Sequence, residues 1–446
     1  MNTPICDFVR DYAASGTARL HMPGHKGAPV LGMESLDITE IAGADSLYEA
    51  DGIIAESERN AGELFGADTF YSTEGSSQCI RAMLYLAVLH ARGQGIARPT
   101  VAAGRNAHKT FLSAAALLDL DVIWLYPETE DSYLSCAVTA PMLERLFAQG
   151  EMPAAVYLTS PDYLGNTVDI AAIAEVCHRY GVLLLVDNAH GAYLKFLSPS
   201  RHPMDLGADV CCDSAHKTLP VLTGGAYLHI SRRAPKMLAE ETKRALAMFG
   251  STSPSYLILQ SLDAANRVLA EGYGEALAVL SARVADCRAR LEAHGFVCVG
   301  DEAIKLTLCP KSYGYTGTAL AQYLRGQRIE CEFADPDHLV LMFTPAITEA
   351  DICRLTDVLL SLPRREAITE LPPAMGRPAR IMLVRDAAFS PCETVPAAES
   401  VGRILAAATV GCPPAVPIVV SGERIDESAV AQFAYYGIES CVVVKE

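Results

Sequence analysis

Val182-Leu183-Leu184-Leu185-Val186-Asp187-Asn188-Ala189-His190-Gly191 is an unbroken apolar run that stops abruptly in a polar turn. A run of that length bounded by turn residues is a strand buried on both faces. Similar runs recur on either side. Thr100-Val101-Ala102-Ala103, Val122-Ile123-Trp124-Leu125, Ala154-Ala155-Val156-Tyr157-Leu158 and Ala208-Asp209-Val210-Cys211-Cys212 read as strands. Helical periodicity falls between them, near residues 109–118, 141–149 and 170–180. Continuous apolar strands separated by helices predict a three-layer α/β/α fold around a mostly parallel sheet. Ligands of such sheets sit beyond the carboxyl ends of the strands. The polar clusters at His108, Asp162, Asp187 and Lys217 all fall at those ends.

Working outward, residues 69–73 form a short strand that runs into Glu74-Gly75-Ser76-Ser77-Gln78 and an apolar helix over 79–89. Strand, small polar turn and helix make an anion cup, because free N–H groups and the helix dipole point at the ligand. The turn lacks the pattern of a nucleoside-triphosphate loop, so a single phosphate suits it better. Downstream, Asp213-Ser214-Ala215-His216-Lys217-Thr218 follows a strand and leads into Leu219-Pro220-Val221-Leu222-Thr223-Gly224-Gly225. A lysine there can be desolvated and act as an amine nucleophile that holds a carbonyl cofactor. Each piece has a bland reading: a solvated lysine, a serine cap, a surface turn. Together, a phosphate cup, an aspartate at a buried strand end and a lysine about thirty residues later are what pyridoxal 5′-phosphate requires. Lys217, Asp187, His108 and the 75–78 turn fit its four roles. His21-Met22-Pro23-Gly24-His25-Lys26-Gly27 is a loop whose glycines let backbone approach a ligand.

The chain has 446 residues, half of them apolar, and a formal net charge of −17. That length suggests two or three domains. We divide it into an N-terminal segment (1–35), a large cofactor-binding domain (36–270), a small α+β domain (271–370) and a C-terminal domain (371–446). The acidic balance argues against nucleic acid or an anionic membrane as partner and is compatible with a cationic small substrate. No signal peptide and no apolar run of spanning length is evident. Fourteen scattered cysteines, with no Cys-x-x-Cys pair, indicate neither a metal site nor a disulfide framework. A cytoplasmic protein is expected.

Several motifs make the chain resemble, over nearly its whole length, the short bacterial form of the Orn/Lys/Arg decarboxylases. These are pyridoxal-phosphate enzymes of the aspartate-aminotransferase-like fold (fold type I). The motifs are the 21–27 loop, Asp37-Ile38-Thr39-Glu40, Asp45-Ser46-Leu47 with Gly52-Ile53-Ile54, Asn106-Ala107-His108-Lys109, Asp187-Asn188-Ala189-His190-Gly191 and Ser214-Ala215-His216-Lys217-Thr218-Leu219-Pro220. Toward the end, Val401-Gly402-Arg403-Ile404, Pro413-Pro414-x-x-Pro417 and Gly422-Glu423 are similar to the family's C-terminal domain. The resemblance implies that Lys217 forms the Schiff base, Asp187 pairs with the pyridine nitrogen and His108 stacks on the ring. It implies that Ser76, Ser77, Ser214 and His216 hold the phosphate, with Gly75 and His190 also in the cofactor set. It further implies a homodimer at least, with both subunits contributing to each site.

Four departures bear on the substrate more than on the cofactor. Glu74 opens a turn that is usually Gly-Thr-Ser or similar, and Asp162-Tyr163 stands for Thr-Tyr. Asn188 replaces the acid of Asp-Glu-Ala-His, and Cys412 replaces the tyrosine of Tyr-Pro-Pro-Gly-Ile-Pro. The expected reaction is α-decarboxylation of lysine, ornithine or arginine to the amine and carbon dioxide. His216 or Lys217 would protonate the α-carbon, and Glu40, Asp45 and Asp162 are candidates for the distal cation. Two other readings differ in observable ways. An aminotransferase or elimination lyase would form no carbon dioxide; the former needs an arginine for a second carboxylate, and Arg325 and Arg328 sit in no motif. An inactive cofactor-binding regulator is disfavoured by the intact Lys217 and Asp187.

Overall fold

The structure, a computed structural model, describes residues 1–128, 132–408 and 414–445. The apolar runs form a seven-stranded sheet of β1 (Asp68–Ser72), β2 (Thr100–Gly104), β3 (Asp121–Leu125), β4 (Ala155–Thr159), β5 (Leu183–Asp187), β6 (Val210–Asp213) and β7 (Ala226–Ile230). Their order is β1-β7-β6-β5-β4-β2-β3. β2 is parallel to β3 and β5 to β6, while β7 is antiparallel to both β1 and β6. The reversal at β7 has a local cause. Residues 214–225 hold one helical turn instead of a crossover helix, so the chain returns beside β6 in the opposite sense.

Two compact units make up the chain. The first comprises Met1–Ala97, Ala154–Val156 and Ile170–Ala276; the second comprises Arg98–Pro153, Tyr157–Asp169 and Leu277–Glu446. In the first, α1 (Pro4–Ala14), α2 (Ile53–Phe65) and α3 (Ser76–Gly93) accompany β1, β5, β6 and β7. α2 buries Ile54, Ala61 and Phe65, which its helical spacing places on one face. In the second unit, α4 (Lys109–Leu118) follows β2, and two further antiparallel sheets form. One has four strands, β8 (Cys298–Val299), β9 (Lys305–Leu308), β10 (Phe333–Ala334) and β11 (Leu339–Met342), ordered β10-β11-β9-β8. The other has β12 (Cys392–Pro396), β13 (Leu405–Ala407) and β14 (Ser440–Val444), with β14 central. Tyr163, Phe333, Val340, Leu405, Ile418 and Phe433 lie in one apolar cluster of that unit.

The start of α2 shows how a carboxylate can be consumed structurally. Gly52 precedes the helix and has no side chain to cap it. Asp45, left-handed at φ 72°, supplies the cap instead. Its Oδ1 accepts from the N–H groups of Ser46 and Asp51, and its Oδ2 from those of Gly52, Ile54 and Ala55, at 2.9–3.3 Å. Burial works to raise this carboxyl's pKa, but the converging N–H donors outweigh it and hold the value below the usual carboxylate range. The stability Asp45 contributes is therefore full above the ordinary carboxylate pKa and is lost as pH falls through its depressed folded value. Asp45→Ala is expected to cost about 1–2 kcal/mol near neutral pH. Denaturant unfolding of both proteins should show that gap closing in acid; a pH-independent gap would contradict the role.

Candidate active site

The site in the first unit begins at the end of β6. Asp213 closes the strand, and α5 (Ala215–Thr218) is a single turn behind Ser214. The Lys217 N–H donates to the Ser214 carbonyl at 3.0 Å, so the turn fixes where the lysine starts. Its Nζ lies 2.9 Å from His190 Nε2, which hangs from the turn after β5. An ammonium at Lys217 donates to a neutral His190, and a neutral amine accepts from its N–H; the pair can share one proton. The His216 main-chain N–H donates to the Gly225 carbonyl at 3.2 Å, and its Nδ1–H to the same oxygen at 3.0 Å.

The strand, turn and helix that the sequence suggests for the cup form as β1, residues 73–75 and α3. Gly75 sits at the N-cap of α3 with φ 73°, a conformation that strains any side chain. The Gly75 N–H donates to Gly224 O at 2.8 Å, and the Ser214 hydroxyl donates to Ser76 Oγ at 2.7 Å. The cup and the Lys217 turn are thereby joined, with Ser77 in the same first turn of α3. Gln78 anchors the helix through Ser72 Oγ at 2.5 Å, Tyr48 OH at 2.9 Å and Leu246 O at 2.8 Å. Glu74 is turned outward, where its carboxylate accepts from the Ser251 N–H.

Asp187 is only 2% exposed at the end of β5. Its Oδ1 accepts from the Ala189 N–H at 3.2 Å and the Cys212 thiol at 3.7 Å. In the second unit, His108 caps α4. Its Nδ1 accepts from the Thr110 N–H at 3.1 Å, which leaves the proton on Nε2 and fixes the ring. Asp162 is buried and serves its own loop. Oδ1 accepts from Leu164 N and Asn166 N, both at 2.9 Å, and Oδ2 accepts from Asn166 Nδ2 at 2.9 Å and from the Ser135 hydroxyl. Burial pushes its pKa up despite these donors. Glu40 is exposed and accepts from the Thr39 hydroxyl at 2.7 Å. Of the departures from the family pattern, Cys412 lies outside the described residues.

Two supports of the site were in plain sight in the sequence without an evident role. Gly224 and Gly225 supply the carbonyls that hold Gly75 and His216. A Cβ on Gly224, at φ 99°, would come within 3.0 Å of the Thr73 carbonyl oxygen, so the adjacent glycines were the available signal.

Hydroxyls at a helix start, an amine and a buried carboxylate at neighbouring strand ends form a donor set that suits pyridoxal phosphate. The scaffold is that of fold type I pyridoxal-phosphate enzymes. A lysine decarboxylase, LdcF of Francisella novicida, matches 99% of this chain and 81% of its own with a TM-score of 0.81 at 17% identity, a likeness of fold. The Orn/Lys/Arg decarboxylase major domain matches residues 3–309, and the family's C-terminal domain matches residues 365–440. The chain belongs to the Orn/Lys/Arg decarboxylase family and is a basic-amino-acid decarboxylase. An arginine decarboxylase of Bacillus subtilis (strain 168) is 29% identical over 96% of this chain and 92% of its own length. One from Halalkalibacterium halodurans is 31% identical with the same coverage. Among the described residues, no helix is long and apolar enough to cross a membrane.

Proposed function

We propose that this enzyme uses pyridoxal 5′-phosphate to release the α-carboxyl of arginine as carbon dioxide. Near full-length similarity to two proteins named arginine decarboxylase carries the choice of substrate. Lys217 holds the cofactor aldehyde. Gly75, Ser76, Ser77, Ser214 and His216 surround the phosphate, and His190 is the partner of the lysine. Asp187 would keep the pyridine nitrogen protonated, and His108 would be the ring-stacking residue that the family resemblance implies. When bound, the cofactor accepts the electron pair left by the departing carboxyl group.

The protein's own part is positioning and proton handling. His216 Nδ1–H is spent on Gly225 O, whereas Lys217 Nζ faces His190 Nε2 at 2.9 Å. That contrast favours Lys217 Nζ as the donor that replaces carbon dioxide at the α-carbon, with His190 restoring the proton. Among the three acidic candidates, Asp45 is saturated by backbone N–H groups up to the start of α2, and Asp162 by its own loop and Ser135. Glu40 is the exposed one, so we assign it to the guanidinium. Glu40→Gln is expected to raise KM for arginine about tenfold or more, the worth of a charge-assisted hydrogen bond, while kcat stays within a few-fold. An unchanged KM removes Glu40 from the substrate site.

The same reading includes a homodimer in the cytoplasm and the four-part division of the chain at 35, 270 and 370. Leu20, Met22, Val30 and Leu31, each 66–94% exposed, support a second copy covering the N-terminal segment. Sedimentation should give at least twice the chain mass; a monomer at micromolar concentration contradicts the oligomer. For the reaction itself, carbon dioxide is measured with arginine, lysine and ornithine on protein saturated with cofactor. Fastest release from arginine is expected. Release only from another of the three overturns the substrate, and release from none overturns the proposal.

A further inference from the structure

Asp213 is the last residue of β6, fully buried, and adjacent to Ser214. Side chains alternate along a strand. Cys212 accordingly faces Asp187, while Cys211 and Asp213 face the reverse side. There, donors from different segments converge on one carboxylate. Asn188 Nδ2 donates to Oδ1 at 2.7 Å, joined by the Cys211 thiol at 3.7 Å. His202 Nε2 at 3.0 Å and His229 Nε2 at 3.2 Å both donate to Oδ2. His202 Nδ1 accepts from Met204 N at 3.3 Å, and His229 Nδ1 faces the Thr69 hydroxyl at 2.9 Å. Each ring thus keeps its proton on Nε2, and a neutral imidazole suffices. Burial lowers the His229 pKa, in keeping with a neutral ring. Burial also works to raise that of Asp213, but His202 and His229 outweigh it and hold the carboxyl well below its usual range. The aromatic ring of Phe65 seals the cluster, with centroids 4.4 Å from His229 and 5.4 Å from His202.

The donors belong to β7, to the turn after β5 and to the segment entering the short helix Pro203–Leu206. Asn188 directly follows Asp187, and Asp213 directly precedes the Ser214–Lys217 turn. We propose that Asp213 is a positioning residue: from the reverse side of the sheet it clamps together the two strand ends that carry Asp187 and Lys217, and so sets how a bound cofactor is held between them. The clamp also accounts for the amide at 188, since a second carboxylate that close to an ionised Asp213 would be repelled. This inference rests on the assignment of Lys217 and Asp187 to the cofactor.

Asn188→Ala tests it in the holoenzyme, because it frees only the β5 turn and leaves the His202–Asp213–His229 set intact. The visible circular dichroism of bound cofactor, its dissociation constant and the melting temperature of the apoprotein are measured together. A shift of the strand ends is expected to weaken cofactor binding about tenfold, small misplacements being costly at such sites. The visible signal per bound cofactor should fall by about half, while the melting temperature moves by only a few degrees. His229→Gln keeps an N–H donor toward Asp213 and should behave like the parent, whereas His229→Phe should resemble Asn188→Ala. An Asn188→Ala protein with parental dichroism and affinity overturns the clamp alone. A parent that binds no cofactor overturns the assignment of Lys217, and the clamp with it. His202, Cys211 and Asp213 also offer ligand atoms within 4.8 Å of one another. One zinc per chain by elemental analysis would replace the hydrogen-bonded clamp with a metal site and overturn the inference.

Discussion

Lys217→Ala is expected to abolish decarboxylation, with kcat lower by on the order of 10³-fold or more even at saturating cofactor. The reason lies in what surrounds each amine. In the first unit, Lys195 is 2.6 Å from Asp205 and Lys243 is 2.6 Å from Glu58, each an ion pair. The Lys217 amine lies 2.9 Å from an imidazole at the end of a neighbouring strand. An imidazole can take or return a proton at near-neutral pH, which lets the amine become a nucleophile. Alanine removes that amine while the backbone hydrogen bonds of the turn, the Ser214–Ser76 contact and the His216–Gly225 bond remain. The variant should therefore stay folded, lose the visible band of covalently held cofactor and release no measurable carbon dioxide. Retention of more than a few per cent of activity would contradict the assigned role.

The second large effect is expected at Asp187. Asp187→Asn keeps the shape of the side chain and removes its charge. Buried at 2% exposure, the carboxylate is shielded from water, so on the proposed assignment its pull on a ring proton would be strong. Without it a bound pyridine nitrogen would lose its proton and the ring would be a poor electron acceptor. A fall in kcat of about 10²–10⁴-fold is expected, with cofactor still bound through Lys217 and the phosphate cup. Activity within a few-fold of the parent would remove Asp187 from the ring nitrogen.

Much of this fold is legible because burial on both faces leaves an unmistakable apolar run. The strand at 182–186 and the helix near 109–118 both appear, the helix as Lys109–Leu118 and the strand shifted by one residue to Leu183–Asp187. Lys217 stands out for the same reason: it follows such a run. Contacts made across long sequence separations are less legible. Asp45 looks like a free acid until the chain turns left-handed there and aims its carboxylate at the start of α2. Asp213 looks like the first polar residue after a strand, and nothing local joins it to His202 or to His229 on β7. β12 escapes notice because it is an edge strand, mostly exposed and ending in Pro396, with no alternation to betray it. The antiparallel entry of β7 likewise depends on the length of the 214–225 connection, not on the composition of the strand.

The most direct measurement of the central claim is chemical. Holoenzyme reconstituted with pyridoxal phosphate is reduced with borohydride, digested, and the modified peptide identified by mass spectrometry. The account predicts one phosphopyridoxyl group per chain, on Lys217. Modification at any other lysine, or none on a protein that shows the bound cofactor's visible band, would contradict it.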